Sequence, residues 1–327
     1  MKAIAFDHPG GEEVLAIREV AEPPLGPEEL RIRVRATAVN RADLLQRQGL
    51  YPPPAGASSI LGLECAGEVI ETGAAVSDWR RGERAMALLP GGGYAQQAAV
   101  HVGSAMHVPA TWTDEEAGAF PEVFLTAFLN LFELGELASG GTVLVHGGGS
   151  GVGTAAILLC REAGARCFVT AGSDEKCRRC RELGAELAIN YRAGAFAPRV
   201  REATGGGGVE VVLDSIGGKY LGANLDCLAT DGRLVIIGLI SGAKAEINLA
   251  ALLNRRLRVI GSTLRARSAA QKTQIVASFL QRFGAALASG RIKPVIDRVL
   301  PLEQAAEAHR VVQSSVHFGK VVLRVPS

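Results

Sequence analysis

The sequence lacks the residue groupings from which metal sites, nucleic-acid surfaces and membrane spans are usually built. It has six cysteines and six histidines in 327 residues, but no four-cysteine cluster and no histidine spaced with a cysteine as metal ligands, so we predict no metal. The net charge is only +2 and no Lys/Arg stripe is present, which argues against a nucleic-acid partner. Glycines interrupt one long uncharged stretch, residues 137–160, so no membrane span is predicted.

The cysteines are interpreted as reduced and structural. Cys177 and Cys180 form a CxxC pair, but it lies in a charged helical pattern without a second CxxC or a nearby histidine pair. Because Met1 leads directly into a strand-like segment with no apolar leader, we expect a cytoplasmic protein.

The chain changes its rhythm at about residue 142. The first 110 residues favour short strands separated by Gly/Pro turns, and a tail from about residue 265 that ends in KVVLRV is expected to rejoin them. Between these parts, strands alternate with helices, which predicts an α/β fold with a doubly wound, six-stranded parallel sheet. The predicted strands are Thr142–His146, Arg166–Thr170, Leu187–Asn190, Val209–Asp214, Arg233–Gly238 and Leu257–Thr263.

A glycine-rich turn follows the first of these six strands. In GGGSGVG, serine replaces the second glycine of a G-x-G-x-x-G pattern. We expect Gly148 to make the tight turn, Gly153 to allow close helix–strand packing and Ser150 to donate to a phosphate oxygen, with Gly151 beside it. The strand before the turn and the helix after it favour a dinucleotide site over a merely flexible turn.

The end of the second core strand indicates which dinucleotide binds. NAD sites usually carry an acidic residue there to bind the ribose hydroxyls, but this strand ends in TAGS. Gly172, Ser173 and Lys176 offer an N–H, a hydroxyl and an ammonium to a 2′-phosphate. The pattern therefore predicts NADPH rather than NADH.

Several segments together resemble a known family. The stretches ATAVNRADLLQRQGLYPPPAG, ILGLECAGEVIETG, ALLPGGGYAQ, VLVHGGGSGVGTAAI, LGA with INY, and GKVVL are similar to the medium-chain dehydrogenase/reductase superfamily. The similarity is greatest to its zinc-free, zeta-crystallin-like quinone oxidoreductases, within them to the tumour-suppressor-induced branch, and it runs nearly end to end.

The resemblance implies two domains and no catalytic zinc. A GroES-like catalytic domain is expected over residues 1–123 and 265–327, and a Rossmann NADPH-binding domain over 124–264, with the substrate in the cleft between them. Zinc members have a cysteine where this chain has Asn40 and a histidine where it has Leu63. Neither replacement can take the place of those ligands on zinc.

The resemblance also implies the site residues. Asn40 matches a position facing the nicotinamide, and Tyr51 one that hydrogen-bonds a quinone oxygen; an aromatic plug is the alternative interpretation of Tyr51. The catalytic candidates are Asn40, Tyr51 and Ser150. The cofactor-binding candidates are Asn40, Thr126, Gly148, Ser150, Gly151, Val152, Gly172, Ser173, Lys176, Tyr191, Gly238, Leu239, Leu264, Arg265 and Lys320.

The expected activity is NADPH-dependent, zinc-independent reduction of ortho- and para-quinones. Two alternatives stay open: an NADPH-dependent reductase of activated C=C bonds in enals, enones or enoyl thioesters, and a non-catalytic NADPH-binding protein that contacts RNA. By analogy with the family, a homodimer is expected through the last Rossmann strand, LRVIGSTL at 257–264.

Overall fold

The computed structural model describes residues 1–326, and the chain divides into two compact units. The first unit comprises Met1–Leu125 and the chain from Leu264 onward, and the second comprises Thr126–Thr263. Within the described residues, no helix has both the length and the apolar character needed to cross a membrane.

The amino-terminal part of the first unit is dominated by strands. It contains three helices, of which α3 continues into the second unit. The elements are β1 (Lys2–Ala5), β2 (Ala16–Glu19), β3 (Glu29–Ala38), α1 (Arg41–Arg47), β4 (Glu64–Thr72), β5 (Arg84–Leu88), β6 (Gln97–His101), β7 (Ala105–His107), α2 (Asp114–Gly118) and α3 (Pro121–Phe128).

The second unit alternates strands with helices. A short π-helical segment, Leu129–Glu133, follows α3. The elements after it are β8 (Thr142–His146), α4 (Gly151–Ala163), β9 (Arg166–Ala171), α5 (Asp174–Leu183), β10 (Leu187–Asn190), α6 (Phe196–Ala203), β11 (Val209–Asp214), α7 (Leu221–Cys227), β12 (Leu228–Ile236), α8 (Leu249–Arg255) and β13 (Arg258–Gly261).

The chain then returns to the first unit and completes its sheet. Helix α9 (Ala269–Ala288), strand β14 (Ile296–Pro301), helix α10 (Ala305–Ser314) and strand β15 (Lys320–Arg324) follow in order. The sheet runs β14-β15-β3-β4-β5-β7, with β6 also paired to β3. Leu30, Ile32 and Val34 of β3 face the apolar core of this unit, and the alternating arginines of the same strand are less buried. The predicted β-rich domain is thus confirmed.

The sheet of the second unit has the order β10-β9-β8-β11-β12-β13, and all its neighbouring strands are parallel. Leu144, Phe168, Val212 and Leu234 are buried within this sheet, as expected where helices cover both faces. The predicted α/β fold with a six-stranded, doubly wound sheet is confirmed. The strand order reverses between β8 and β11, which is where such sheets bind their ligands.

Some element boundaries differ from those predicted. Strand β12 begins at Leu228 rather than Arg233 because it continues through Asp231 at a left-handed φ of 63°. It ends at Ile236, and the next amide, Ile237, donates to Asp214 O. The three residues of β7 are too few to give a periodic signal in the sequence.

Candidate functional site

Three neighbouring strands of the first unit place polar side chains at one end of its sheet. Strand β3 pairs antiparallel with both β15 and β4. Asn40, two residues beyond the end of β3, therefore lies beside the first residues of the two partner strands, Lys320 and Glu64. The local sequence fixes Asn40 further, because it is the N-cap of α1 and forms a capping box with Asp43.

Lys320, Glu64 and Asn40 form a closed, buried triad. The Lys320 Nζ lies 2.8 Å from Glu64 Oε1 and donates to Asn40 Oδ1 at 2.7 Å and to Val39 O at 3.1 Å. The Asn40 Nδ2 donates to Glu64 Oε1 at 2.9 Å. Glu64 is 0% and Lys320 2% exposed. Because an ammonium has three protons, these acceptors occupy all of those on Lys320, and this geometry leaves none for a cofactor.

A second chain of polar groups extends inward from Asp43. Its carboxylate accepts from Asn40 N at 2.8 Å and Gly62 N at 2.9 Å, and burial raises its pKa to about 6. The Tyr94 hydroxyl lies 3.4 Å from Asp43 Oδ2 and 3.2 Å from His309 Nε2. Arg47 lies 3.4 Å from the other ring nitrogen of His309.

The arginine fixes the direction of this chain. Because a guanidinium can only donate, His309 Nδ1 accepts from Arg47. His309 Nε2–H then donates to Tyr94, and the Tyr94 hydroxyl donates to Asp43. Burial, with Arg47 beside it, lowers the pKa of His309 to about 3, so the ring is neutral. We interpret this chain as structural, since the His309 Nε2–H and the Tyr94 hydroxyl each have an acceptor within it.

Glu122 is a titratable residue of this cluster that the sequence analysis missed. Its backbone N–H donates to Glu64 Oε2 at 3.0 Å, whereas its own Oε2 is buried without a hydrogen-bond partner. Burial and, next, the charge of Glu64 raise the pKa of Glu122 to about 8. The only signal in the sequence is a glutamate directly after Pro121 at a helix start, which is indistinguishable from ordinary complementarity to the helix dipole.

Tyr51 is held in place by Arg265. The Arg265 guanidinium carbon lies 5.4 Å from the centre of the Tyr51 ring, and its NH1 donates to Tyr51 O at 3.4 Å. Arg265 is 3% exposed and also donates to Pro90 O and Gln46 Oε1. Burial raises the pKa of the half-buried Tyr51. The predicted residues Tyr51 and Arg265 thus lie together, and the adjoining Leu264 is buried.

In the second unit, the glycine turn connects β8 to α4. The positive φ of the turn, 76°, belongs to Gly147, and Gly148 lies within the turn that the Ser150 N–H closes on Gly147 O. Gly148 is also needed for packing, because an added Cβ would lie 2.7 Å from Val169 Cβ. An added Cβ at Gly153 would lie 2.3 Å from Gly147 O, which agrees with the predicted close packing.

Ser150 is the N-cap of α4. Its Oγ accepts from Gly153 N at 3.0 Å, which leaves its hydroxyl proton available as a donor. Gly151 and Val152 follow as the first helical residues, where backbone N–H groups point out of the helix start and favour an anion. The turn therefore fits a dinucleotide pyrophosphate. Ser150 has a clear capping role, and its assignment as a catalytic residue stays a prediction.

The residues predicted to bind a 2′-phosphate gather at the ends of β9 and β10. Gly172 follows β9, and an added Cβ there would lie 2.9 Å from the Tyr191 hydroxyl. Ser173 is the N-cap of α5 and accepts from Lys176 N at 3.2 Å. No acidic side chain occupies residues 171–173, and the next acid, Asp174, accepts from Asn190. Their assignment to a 2′-phosphate stays a prediction.

The other predicted cofactor positions lie elsewhere in the second unit. Thr126 is half-buried in α3, while Gly238 and Leu239 follow the carboxyl end of β12. An added Cβ at Gly238 would lie 2.8 Å from Ser215 O. Leu239 is 55% exposed. Their assignment to the nicotinamide stays a prediction.

The donor atoms of the described residues do not fit zinc. Leu63 is buried and apolar, and both polar ends of Asn40 are occupied within the triad. His146 is also satisfied, with Thr170 Oγ1 at 3.0 Å and Asn224 Oδ1 at 2.7 Å, and burial lowers its pKa to about 4. Within residues 1–326, no three His, Cys, Asp or Glu side chains are grouped as metal ligands.

Two family models match parts of the chain. Residues 26–128 match the model of the alcohol dehydrogenase GroES-like domain. Residues 151–282 match the model described as zinc-binding dehydrogenase. The chain is 33% identical to the human synaptic vesicle membrane protein VAT-1 homolog, with 94% of this chain and 82% of that protein covered. It is also 33% identical to a phenolphthiocerol/phthiocerol polyketide synthase protein of Mycobacterium tuberculosis, of which it spans only 15% of the length while 99% of this chain is covered.

Solved structures of a quinone oxidoreductase, an alcohol dehydrogenase and an enoyl reductase are similar to nearly the whole chain. The Escherichia coli quinone oxidoreductase complexed with NADPH has a TM-score of 0.87 at 30% identity, covering 99% of this chain and 100% of that one. An NAD-dependent alcohol dehydrogenase has a TM-score of 0.87 at 32% identity, with both chains fully covered. The CurK enoyl reductase has a TM-score of 0.86 at 27% identity, with 99% of each chain covered.

Removal of the Lys320 charge tests the triad. We expect Lys320→Met to lower the free energy of unfolding by about 3–5 kcal/mol, because it leaves the Glu64 carboxylate buried without its cation. Lys293→Met is the matched control, since its partner Glu116 forms a more exposed ion pair worth about 1 kcal/mol or less. Chemical denaturation measures both, and equal losses would contradict the assignment of a special role to Lys320.

Proposed function

The chain belongs to the medium-chain dehydrogenase/reductase superfamily, and on that basis we propose that it is an NADPH-dependent, zinc-independent quinone oxidoreductase. Membership and an oxidoreductase function follow from the family models and relatives. The choice of NADPH and of quinones as acceptors is the proposal. Among solved structures, the similarity to the quinone oxidoreductase complexed with NADPH supports this choice.

The observation that carries the proposal is the half-buried Tyr51 hydroxyl, which is the polar group that the first unit offers to a substrate. The triad is saturated internally, so Asn40 is better suited to shaping the site than to proton transfer. Tyr51 is a half-buried hydroxyl held by Arg265. A quinone is already electron-poor, and it needs only orientation, a hydrogen bond to its oxygen and exclusion of water. Tyr51 supplies that hydrogen bond.

The cofactor-binding part of the proposal rests on the second unit. The N–H groups of Gly151 and Val152, with the Ser150 hydroxyl, would hold the pyrophosphate. Gly172, Ser173, Lys176 and Tyr191 would hold the 2′-phosphate. When bound, NADPH supplies a hydride to the acceptor. An oxygen of the reduced acceptor then requires a proton, and in this proposal Tyr51 donates it.

A reductase of activated C=C bonds is the second candidate function. Its support is the similarity to the CurK enoyl reductase and to a polyketide synthase. It would use the same turn and the same tyrosine, since an enolate oxygen also needs a hydrogen bond. The acceptor therefore distinguishes the two candidates.

Acceptor specificity is the direct test. We expect the purified protein with NADPH to reduce 1,2-naphthoquinone faster than any member of an enone and enoyl-thioester panel by orders of magnitude. Tyr51→Phe should lower kcat for the quinone by about tenfold to a hundredfold, because the transition state loses one hydrogen bond to developing charge. Rates are followed by NADPH absorbance. Faster reduction of the enones would instead support the second candidate.

Substitution of Lys176 in α5 tests the preference for NADPH over NADH. We expect Lys176→Ala to reduce kcat/KM for NADPH by about tenfold to a hundredfold, since a charge-assisted contact to the 2′-phosphate is lost, and to leave that for NADH nearly unchanged. Arg178→Ala removes a charge from the same helix, where it pairs with Glu175 and Glu182, and is the control. Equal losses with both cofactors would contradict the 2′-phosphate site.

We also propose a homodimer through the last strand of the second unit, in the cytoplasm. Strand β13 lies at the edge of its sheet, and an unpaired apolar edge favours a partner. Three apolar side chains on or near this edge are exposed: Val259 by 40%, Leu249 by 68% and Leu253 by 78%.

Light scattering tests the dimer. We expect the native protein to have the mass of two chains and Leu253→Asp with Val259→Lys to have the mass of one, because each buries a charge in the proposed interface. Val316→Lys is the control, since this residue is 65% exposed in the first unit. A native monomer, or a dimer unaffected by the paired substitution, is the contradictory outcome.

A further inference from the structure

We propose that Glu122 is the proton reservoir of this site, holding a proton in the resting enzyme and replacing the one that Tyr51 donates to the reduced acceptor. This inference rests on the proposed function for the identity of the acceptor. It concerns a residue to which neither the family resemblance nor the turn pattern assigns a role.

The geometry begins with the backbone of Glu122. It is the second residue of α3, directly after Pro121, so its N–H belongs to the helix start, where such groups lack a partner within the helix. That N–H donates to Glu64 Oε2 at 3.0 Å. Glu122 is thereby fixed beside a carboxylate that is itself fully buried.

The balance of charge around Glu122 favours its neutral form. Lys320 is already committed to Glu64 and Asn40, and the Lys272 Nζ donates to Arg265 O at 2.8 Å. Glu122 Oε2 is buried without a hydrogen-bond partner. A second carboxylate placed here would be desolvated and would repel the first, so the proton is retained.

The electrostatics of the surrounding groups agree with this interpretation. Burial has the largest effect on the pKa of Glu122 and raises it. Glu64 and Asp43 raise it further, Lys320 and Lys272 lower it, and the pKa is about 8. Burial raises the pKa of Tyr51, the charge of an ionised Glu122 would raise it further, and Arg265 has the opposite effect. An ionised Glu122 would therefore disfavour the ionised form of Tyr51.

The proton balance of the step is complete with these groups. A quinone gains two electrons and one hydrogen nucleus as a hydride from the reduced nicotinamide cofactor of the proposed reaction. The Tyr51 O–H bond breaks as its proton moves to the acceptor oxygen, which completes the hydroquinone. The Glu122 carboxyl then gives its proton to the Tyr51 oxygen, and the resulting carboxylate regains one from water.

The protonation state is measured without any substrate. Infrared difference spectra of wild type against Glu122→Gln should show a protonated-carboxyl C=O band at pH 7 that titrates away near pH 8. The unfolded chain releases this proton near the ordinary value of 4.5, and the folded chain keeps it to about 8. Wild-type stability should therefore fall relative to Glu122→Gln as pH rises between these values, and the gap should stay constant above them.

The catalytic readout is the pH profile of kcat with 1,2-naphthoquinone. We expect Glu122→Gln to lower kcat about a hundredfold, to abolish the alkaline decline near pH 8 and to leave KM for NADPH unchanged. Glu122→Asp, which keeps a protonatable group, should recover part of the rate. Glu303→Gln, an exposed glutamate of the same unit, is the control and should match wild type in both readouts.

A double variant tests the route through Tyr51. If Glu122 acts through this residue, Glu122→Gln combined with Tyr51→Phe should be no slower than Tyr51→Phe alone, because both remove the same step. Independent, multiplicative losses would overturn the route. Absence of the infrared band, or an alkaline limb unchanged in Glu122→Gln, would overturn the reservoir itself. Should only enones be reduced, with the same Glu122-dependent limb, the quinone assignment fails and the reservoir stands.

Discussion

The buried ion pair between Lys320 and Glu64 is the interaction on which the polar cluster of the first unit depends. The Glu64 carboxylate receives the Lys320 ammonium, the Asn40 amide and the Glu122 backbone N–H. These donors come from β15, from the end of β3 and from the start of α3. One buried charge thus ties three elements together, and its partners cannot move without leaving it unsatisfied, which is costly in a low-dielectric interior.

The Lys320 charge also influences the acids around it. Lys320 pairs with one carboxylate, whereas the cluster contains three. Burial raises the pKa of the other two, Asp43 and Glu122. Asp43 is stabilised by two backbone N–H groups, but within residues 1–326 Glu122 Oε2 has no hydrogen-bond partner. The result is a site with little net charge that stores a proton. Such a site suits an acceptor that is already electron-poor and needs neither a metal nor a strong base.

In the second unit, the glycine turn leaves the backbone accessible to an anion. Gly147 takes up the left-handed turn, Gly148 and Gly153 remove side chains where strand and helix approach, and Ser150 caps the helix. These separate roles explain why a serine is tolerated within the glycine pattern. Position 150 caps α4 through its side chain, so a side chain there is useful. Oxidoreductases described with different acceptors share this fold, so specificity must arise outside the turn.

The sequence by itself determined the class of fold, the six-stranded sheet and the place of the dinucleotide turn, because strand and helix periodicity and capping residues are local properties of the chain. It also indicated the loss of zinc ligands at Asn40 and Leu63. Only the tertiary structure decided that Lys320 is bound by Glu64 and Asn40, that Gly147 takes the left-handed conformation in the turn, and that Glu122 belongs to the cluster. These facts depend on residues that are distant along the chain meeting at one sheet end, where burial and a shared cation change their charge states, and no local pattern carries that information.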